Sequence, residues 1–191
     1  LTGQILPVRK ICDMAHSRGV KVMVDGAHAT GHFKFSIPEL GCDYYGSSLH
    51  KWLSVPLGSG LLWVKKENIS TIWPLIAPYD MSPDDIRRLN HIGTHPAYTD
   101  LTVEDAIEYY NMLGAERKEA RLRYIQNYWT NKVRNMSHVI LNTPEDPARS
   151  CAIANVGVKG RKPGELGDVL WKRYKIYCAP IDGANVHGCR I

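Results

Sequence analysis

The chain has 191 residues, of which 44% are hydrophobic and 23% charged, with a formal net charge of +5. No apolar run is long enough to span a bilayer, no signal peptide opens the chain, and no run of lysine and arginine exceeds two, so a solvated, mildly basic surface is expected, with no membrane and no nucleic acid as partner. Five cysteines, an odd number without a C-x-x-C pair, point to reduced thiols and a cytoplasmic setting.

In chain order, residues 7–19 predict a helix: Pro7 suits its first turn, Val8, Ile11, Cys12 and Ala15 share one face, and Gly19 suits the position after its end. The β-branched run 20–25 predicts a strand ending on Asp25, and residues 37–40 a short helix. Two more strands are expected in "CDYYGSS" and "GSGLLWVKK". Near-continuous apolar strands alternating with helices predict a mainly parallel α/β sheet covered on both faces. The Pro-, Asp- and Gly-rich stretch 77–100 reads as a connection.

Residues 102–136 predict helix, broken near Gly114, with Thr102 and Asp105 as a weak capping pair. Its first half carries an apolar stripe of Ala106, Ile107, Tyr110 and Leu113. Its second half is basic, with Leu122, Ile125, Tyr128 and Trp129 opposite Arg117, Lys118, Arg121 and Lys132. Three strands are expected in "HVILNTP", "CAIANVGVKG" and "KIYCAP", with a helix over 163–174 before the last. The expected division is residues 1–95 as part of a larger domain and 96–191 as interdomain helix and small α+β domain.

The chemistry concentrates at two strand ends. In open α/β sheets ligands bind at the carboxyl ends of strands. Asp25 ends one strand and Lys51 follows the end of the next, so both are expected to face one crevice. An aspartate and a lysine there can form an ion pair, or can hold pyridoxal 5'-phosphate, which needs an amine for a Schiff base and a carboxylate against its pyridine nitrogen. His28 and His32 can be ordinary loop histidines; with Asp25 they could also bind a metal, but no third histidine or cysteine stands near, and none is expected.

The stretch "VDGAHATGHFKFSIPELGCDYYGSSLHKWLSVPLGSGLLWVKKE" closely resembles the core of the class V aminotransferases, fold type I pyridoxal-phosphate enzymes. "DGAHA" and "HKWL..P.GSG" resemble their isopenicillin N epimerase-like branch. The resemblance implies that Asp25 pairs with the pyridine nitrogen and that His28 contacts the cofactor's phenolic oxygen. It implies that Ser48 and His50 bind the phosphate and that Lys51 forms the Schiff base. "GTHP" resembles the segment whose Gly93 and Thr94 reach the phosphate of the neighbouring subunit, implying a homodimer. Arg190 resembles the arginine that binds the substrate α-carboxylate, a two-pronged task suited to guanidinium.

The same resemblance implies an enzyme acting on an amino acid by transamination, epimerisation or elimination. The alternatives are a cysteine desulfurase or selenocysteine lyase, with Cys178 or Cys189 as nucleophile, and an inactive fragment acting as a binding module through its basic helix. The chain begins at Leu1 without the family's upstream phosphate cradle and ring-stacking aromatic, and so reads as a piece of a longer protein.

Overall fold

The computed structural model describes residues 1–77 and 80–191. Pro78 and Tyr79, inside the expected connection, lie outside the described residues. The chain divides into two compact units, residues 7–115 and residues 1–6 with 116–191. The break therefore falls later than the expected boundary at 95, and the first six residues join the second unit.

The first unit opens with α1 (Val8–His16), capped by Ser17, so that Gly19, at φ +70°, lies three residues past the helix and not directly after its end as expected. Next come β1 (Met23–Asp25), α2 (Ile37–Leu40), β2 (Tyr44–Ser48) and β3 (Gly60–Val64). Proline at the start of α2 and left-handed Gly41 at its end fix that single turn. β1 pairs parallel with β2, but β3 runs antiparallel to β2, Tyr44 facing Val64 and Ser48 facing Gly60. The three strands thus form a mixed sheet, because the chain reverses over residues 49–59 without a crossover helix.

Beneath the sheet, Cys12, Cys42 and Tyr45 are fully buried among Val8, Val22, Val24, Phe35, Ile37, Leu40 and Trp63. A second cluster joins Leu49, Leu53 and Val55 to Ala106, Val103 and Tyr110 of α3 (Tyr98–Leu113). That packing places α3 with the first unit. The helix starts four residues before Thr102, after Ala97 and without a side-chain cap. Thr102 instead donates to the Thr99 carbonyl at 2.7 Å, so the expected capping pair is not formed.

Gly114, at φ +82°, ends α3 where a break is expected, and α4 (Ala115–Val133) follows. In the second unit β4 (Val139–Leu141), β5 (Asn155–Val158), β6 (Ala179–Gly183) and β7 (Val186–Arg190) form an antiparallel sheet in the order β4-β5-β7-β6. Helix α5 (Pro163–Tyr174) begins on proline, as expected. The buried positions of α4 are Gln126 and Thr130, with Leu122 and Trp129 half-buried, while Ile125 and Tyr128 are exposed, so only part of the expected apolar stripe faces inward. Arg123 explains part of this: it donates to the Pro147 and Ser150 carbonyls and pairs with Glu119, which turns a polar face inward.

The amino-terminal segment is stitched to this sheet. Thr143 donates to the Thr2 carbonyl at 2.8 Å, the Ile5 N–H donates to the Arg149 carbonyl, and fully buried Asn155 donates to the Leu1 carbonyl. Among the described residues, no helix is long and apolar enough to cross a membrane.

Candidate active site

The site grows from the carboxyl ends of two adjacent parallel strands, β1 and β2. Asp25 is the last residue of β1, exposed, and its Oδ1 accepts the Ala27 N–H at 3.0 Å. The chain then turns sharply. The Gly26 N–H donates across to the Gly46 carbonyl at 2.7 Å, and the Gly26 carbonyl accepts from the Ala29 and Thr30 N–H groups. That carbonyl also accepts from the Ser47 and Tyr45 hydroxyls, at 3.1 and 3.3 Å. Gly26 has no room for a side chain, because a Cβ there would lie 2.0 Å from the Tyr45 phenol. The turn is therefore moulded onto the buried core, and it delivers His28 to the surface beside Asp25.

Ser48 ends β2, and the loop 49–55 comes next. It is closed by backbone bonds from the Val55 N–H to the Leu49 carbonyl and from the Leu49 N–H to the Ser59 carbonyl. Leu49, Leu53 and Val55 point into the core, and Ser54 takes a left-handed φ of 67° to complete the loop. This is a costly conformation for a non-glycine residue, kept where surrounding packing enforces it. The inward leucines leave Lys51 outside, exposed, with its Nζ 3.4 Å from His28 Nε2. His50 Nδ1, by contrast, is buried and finds no hydrogen-bond partner among the described residues.

Of the residues singled out from the sequence, Asp25 and His28 share one turn, His28 touches Lys51, and Ser48 and His50 flank that lysine on the adjoining strand end. Gly93, at φ +79°, and Thr94 stand on an exposed loop of their own. His95 holds that loop, its Nδ1 3.2 Å from the Gly93 carbonyl and its Nε2 3.5 Å from Asp100, which also accepts from Ser59 at 3.1 Å. Arg190 lies in the other unit, half-buried on β7 between Asn155 and Ala179.

Sequence reasoning assigned nothing to Trp52 and left His32 as a loop residue. The structure buries His32, stacks it on Trp52 at 3.9 Å between ring centres, and joins Trp52 Nε1 to His28 Nδ1 at 3.3 Å. The only signal in the sequence was the i, i+4 spacing of His28 and His32. Among the described residues no group of three histidines, cysteines or acids could hold a metal ion.

Residues 1–180 match the family described as aminotransferase class-V. The chain belongs to that family. It is 28% identical over 195 residues to an isopenicillin N epimerase of Streptomyces clavuligerus, an alignment covering 93% of this chain and 49% of that protein. It is 26% identical to a probable cysteine desulfurase of Xylella fastidiosa, covering 88% and 42%. The fold is shared with the apo structure of a cysteine desulfurase from Thermococcus onnurineus, with a TM-score of 0.76, 20% identity, and 98% of this chain covered against 51% of that one. This class V aminotransferase chain thus spans about half the length of the curated relatives it matches, and its mixed α/β fold is a partial fold type I large domain.

Proposed function

We propose that the protein carrying this chain is a pyridoxal 5'-phosphate enzyme acting on an amino acid, in the manner of an isopenicillin N epimerase, with Lys51 as covalent anchor and proton carrier. The observation that carries the reading is the meeting of Lys51 Nζ and His28 Nε2 at the ends of two parallel strands, one of which ends in Asp25. The residues present fit the cofactor. His50 Nδ1 is a buried polar atom in want of a partner, and such atoms cost about 1–3 kcal/mol unless something pairs with them; a phosphate oxygen is a suitable acceptor for its N–H. Ser48 lies on the same strand end, Asp25 offers the carboxylate for a protonated ring nitrogen, and His28, on the turn after Asp25, reaches the anchor lysine.

When bound, the cofactor supplies an electron-withdrawing ring that makes a substrate Cα proton acidic. The chain's own work is then positional. Asp25 keeps a positive charge at the ring nitrogen, a role that gains strength as water is excluded. Lys51 Nζ, once free, can take up the Cα proton, and its place on a loop locked by Leu49 and Leu53 sets the face from which it does so. Arg190 is the natural partner for the substrate carboxylate. Gly93 and Thr94 would complete a neighbouring subunit's site in a homodimer. Five free thiols suit a reducing, cytoplasmic compartment.

A desulfurase needs a nucleophilic thiolate, and here the thiols argue against it. Cys178 and Cys189 are buried, and burial, with the neighbouring Cys178 thiol, pushes Cys189 up to about 12. The test uses the protein containing this chain. Mixed with pyridoxal phosphate it should develop visible absorbance, borohydride should fix the adduct, and mass spectrometry should place it on Lys51. Lys51→Ala should lose the band and release the cofactor on dialysis. An adduct on Lys21, Lys34 or Lys65, with Lys51 unmodified, would overturn the assignment.

A further inference from the structure

Trp52 stands directly after the anchor lysine, and the cofactor chemistry gives it no role. We propose that Trp52 is a positioning residue that fixes His28 in the Nε2–H tautomer and aims that N–H at the Lys51 amine position. The donor inventory decides the direction of each bond. An indole nitrogen can only donate. Trp52 Nε1 lies 3.3 Å from His28 Nδ1, so Nδ1 is the acceptor of that pair. A neutral imidazole carries one ring proton, which is then on Nε2. Nε2 is the atom that faces Lys51 Nζ at 3.4 Å. His28 therefore presents a donor to the crevice; an ammonium, itself only a donor, cannot accept it, whereas the lone pair of a neutral amine, an oxygen or an imine-type nitrogen bound there can.

The indole is itself held in place from the turn it orients. Its ring lies on His32 at 3.9 Å with only 10° between the planes. His32 is 4% exposed, and its Nδ1 is 2.8 Å from the His28 carbonyl, to which it donates. The backbones are equally close: Gly31 is at φ +75°, and a Cβ there would meet Leu53 N at 2.9 Å. A closed circuit results, from the His28 backbone through the His32 ring and the Trp52 ring to the His28 ring. Such a circuit leaves His28 few ways to rotate, and it accounts for the paired histidines without a metal.

The significance of this circuit for catalysis rests on the proposed function, but the tautomer does not, and the experiment separates them. The protein containing this chain is prepared without cofactor, with its histidine rings labelled with ¹⁵N, and long-range proton–nitrogen spectra are assigned for residue 28 by loss in His28→Gln. In the wild type, His28 should show protonated Nε2 and bare Nδ1. Trp52→Phe keeps a ring for the His32 stack and removes the N–H. The ratio of Nε2–H to Nδ1–H at His28 should then fall by about fivefold, the factor one ordinary hydrogen bond carries, while His32 keeps its Nδ1–H. Protonated Nδ1 at His28 in the wild type would overturn the proposal even if the variant did not fold, and so would an unchanged ratio in a folded Trp52→Phe. Pyridoxal phosphate added afterwards tests the other reading: a correct tautomer without a visible band sinks the cofactor assignment alone, and a band with the wrong tautomer sinks the role of Trp52 alone.

Discussion

Gly26→Ala tests whether the turn that carries Asp25 and His28 is cast against the core. The added methyl would lie 2.0 Å from both Cζ and Oη of Tyr45 and 2.4 Å from Cε2, where about 3.5 Å is comfortable. The phenol ring would have to retreat by roughly 1.5 Å. It has nowhere to go: Tyr45 is fully buried, packed with Cys12 and Cys42, with Phe35 5.8 Å away and its hydroxyl bonded to Thr30 at 2.8 Å. Overpacking of this kind costs about 1–3 kcal/mol, and loss of the Thr30 hydrogen bond about 1 more. A total near 3 kcal/mol is roughly a 150-fold change in the folding equilibrium. At a typical urea slope of about 2 kcal/mol per molar, the midpoint should drop by on the order of 1.5 M. Gly46→Ala, one strand away, is the control, since a methyl there would meet only Met23 Cε at 3.5 Å. If urea melts followed by circular dichroism gave the two variants midpoints within about 0.5 M of each other, the moulding of the turn onto Tyr45 would be wrong.

Two further outcomes are expected. Burial alone would push the Asp43 carboxyl up, but hydrogen bonds from His16 Nε2 at 2.8 Å, the Val22 N–H at 2.7 Å and Asn68 at 3.3 Å outweigh it and hold the group below the usual carboxylate range. Its stabilising contribution is then complete above the unfolded value near 4 and lost as pH falls through the lower folded value; the stability difference between wild type and Asp43→Asn should shrink as pH falls below about 4, and a difference that stays unchanged there would refute the ion's role. The thiols give the second test: with Cys151 pushed up to about 11 and Cys189 to about 12, chiefly by burial, a disulfide reagent at pH 8 should label neither until denaturant is added. Rapid labelling of Cys189 in the native protein would reopen the desulfurase reading.

Local chemistry made part of this legible beforehand. Pro7 marked the start of α1 and Gly114 the break between α3 and α4, because each of these residues restricts or frees the backbone whatever surrounds it. The apolar run 20–25 was read as one strand, yet only Met23–Asp25 pair with β2. Before that point the Val22 N–H is taken by the Asp43 carboxylate, and its carbonyl accepts the Asp43 and Tyr44 N–H groups, a tertiary arrangement that no hydrophobic pattern reveals. The hairpin of β6 and β7 escaped for a related reason. Its two-residue turn puts Ala184 and Asn185 at φ +50° and +59°, and alanine is a poor advertisement for a left-handed turn.

The placement of Lys51 shows how the two kinds of information combine. Its neighbours alternate in a way no strand or helix would give, with Leu49, Leu53 and Val55 inward and His50 half-buried. Besides its own backbone bonds, such a loop is held by α3 covering its leucines, so the lysine beyond the strand end owes its exposure in part to a helix about fifty residues later in the chain. The identities of Asp25, His28 and Lys51 could be read from the chain alone. The contact of His28 with Lys51 could not, because it depends on Gly26 fitting under Tyr45 and on Trp52 lying flat against His32, contacts between segments that sequence spacing does not connect. The Lys51 amine is thus set beyond a strand end by apolar packing below it, with His28 held beside it by aromatic packing, and altering either support should change the distance between them while leaving both residues in the chain.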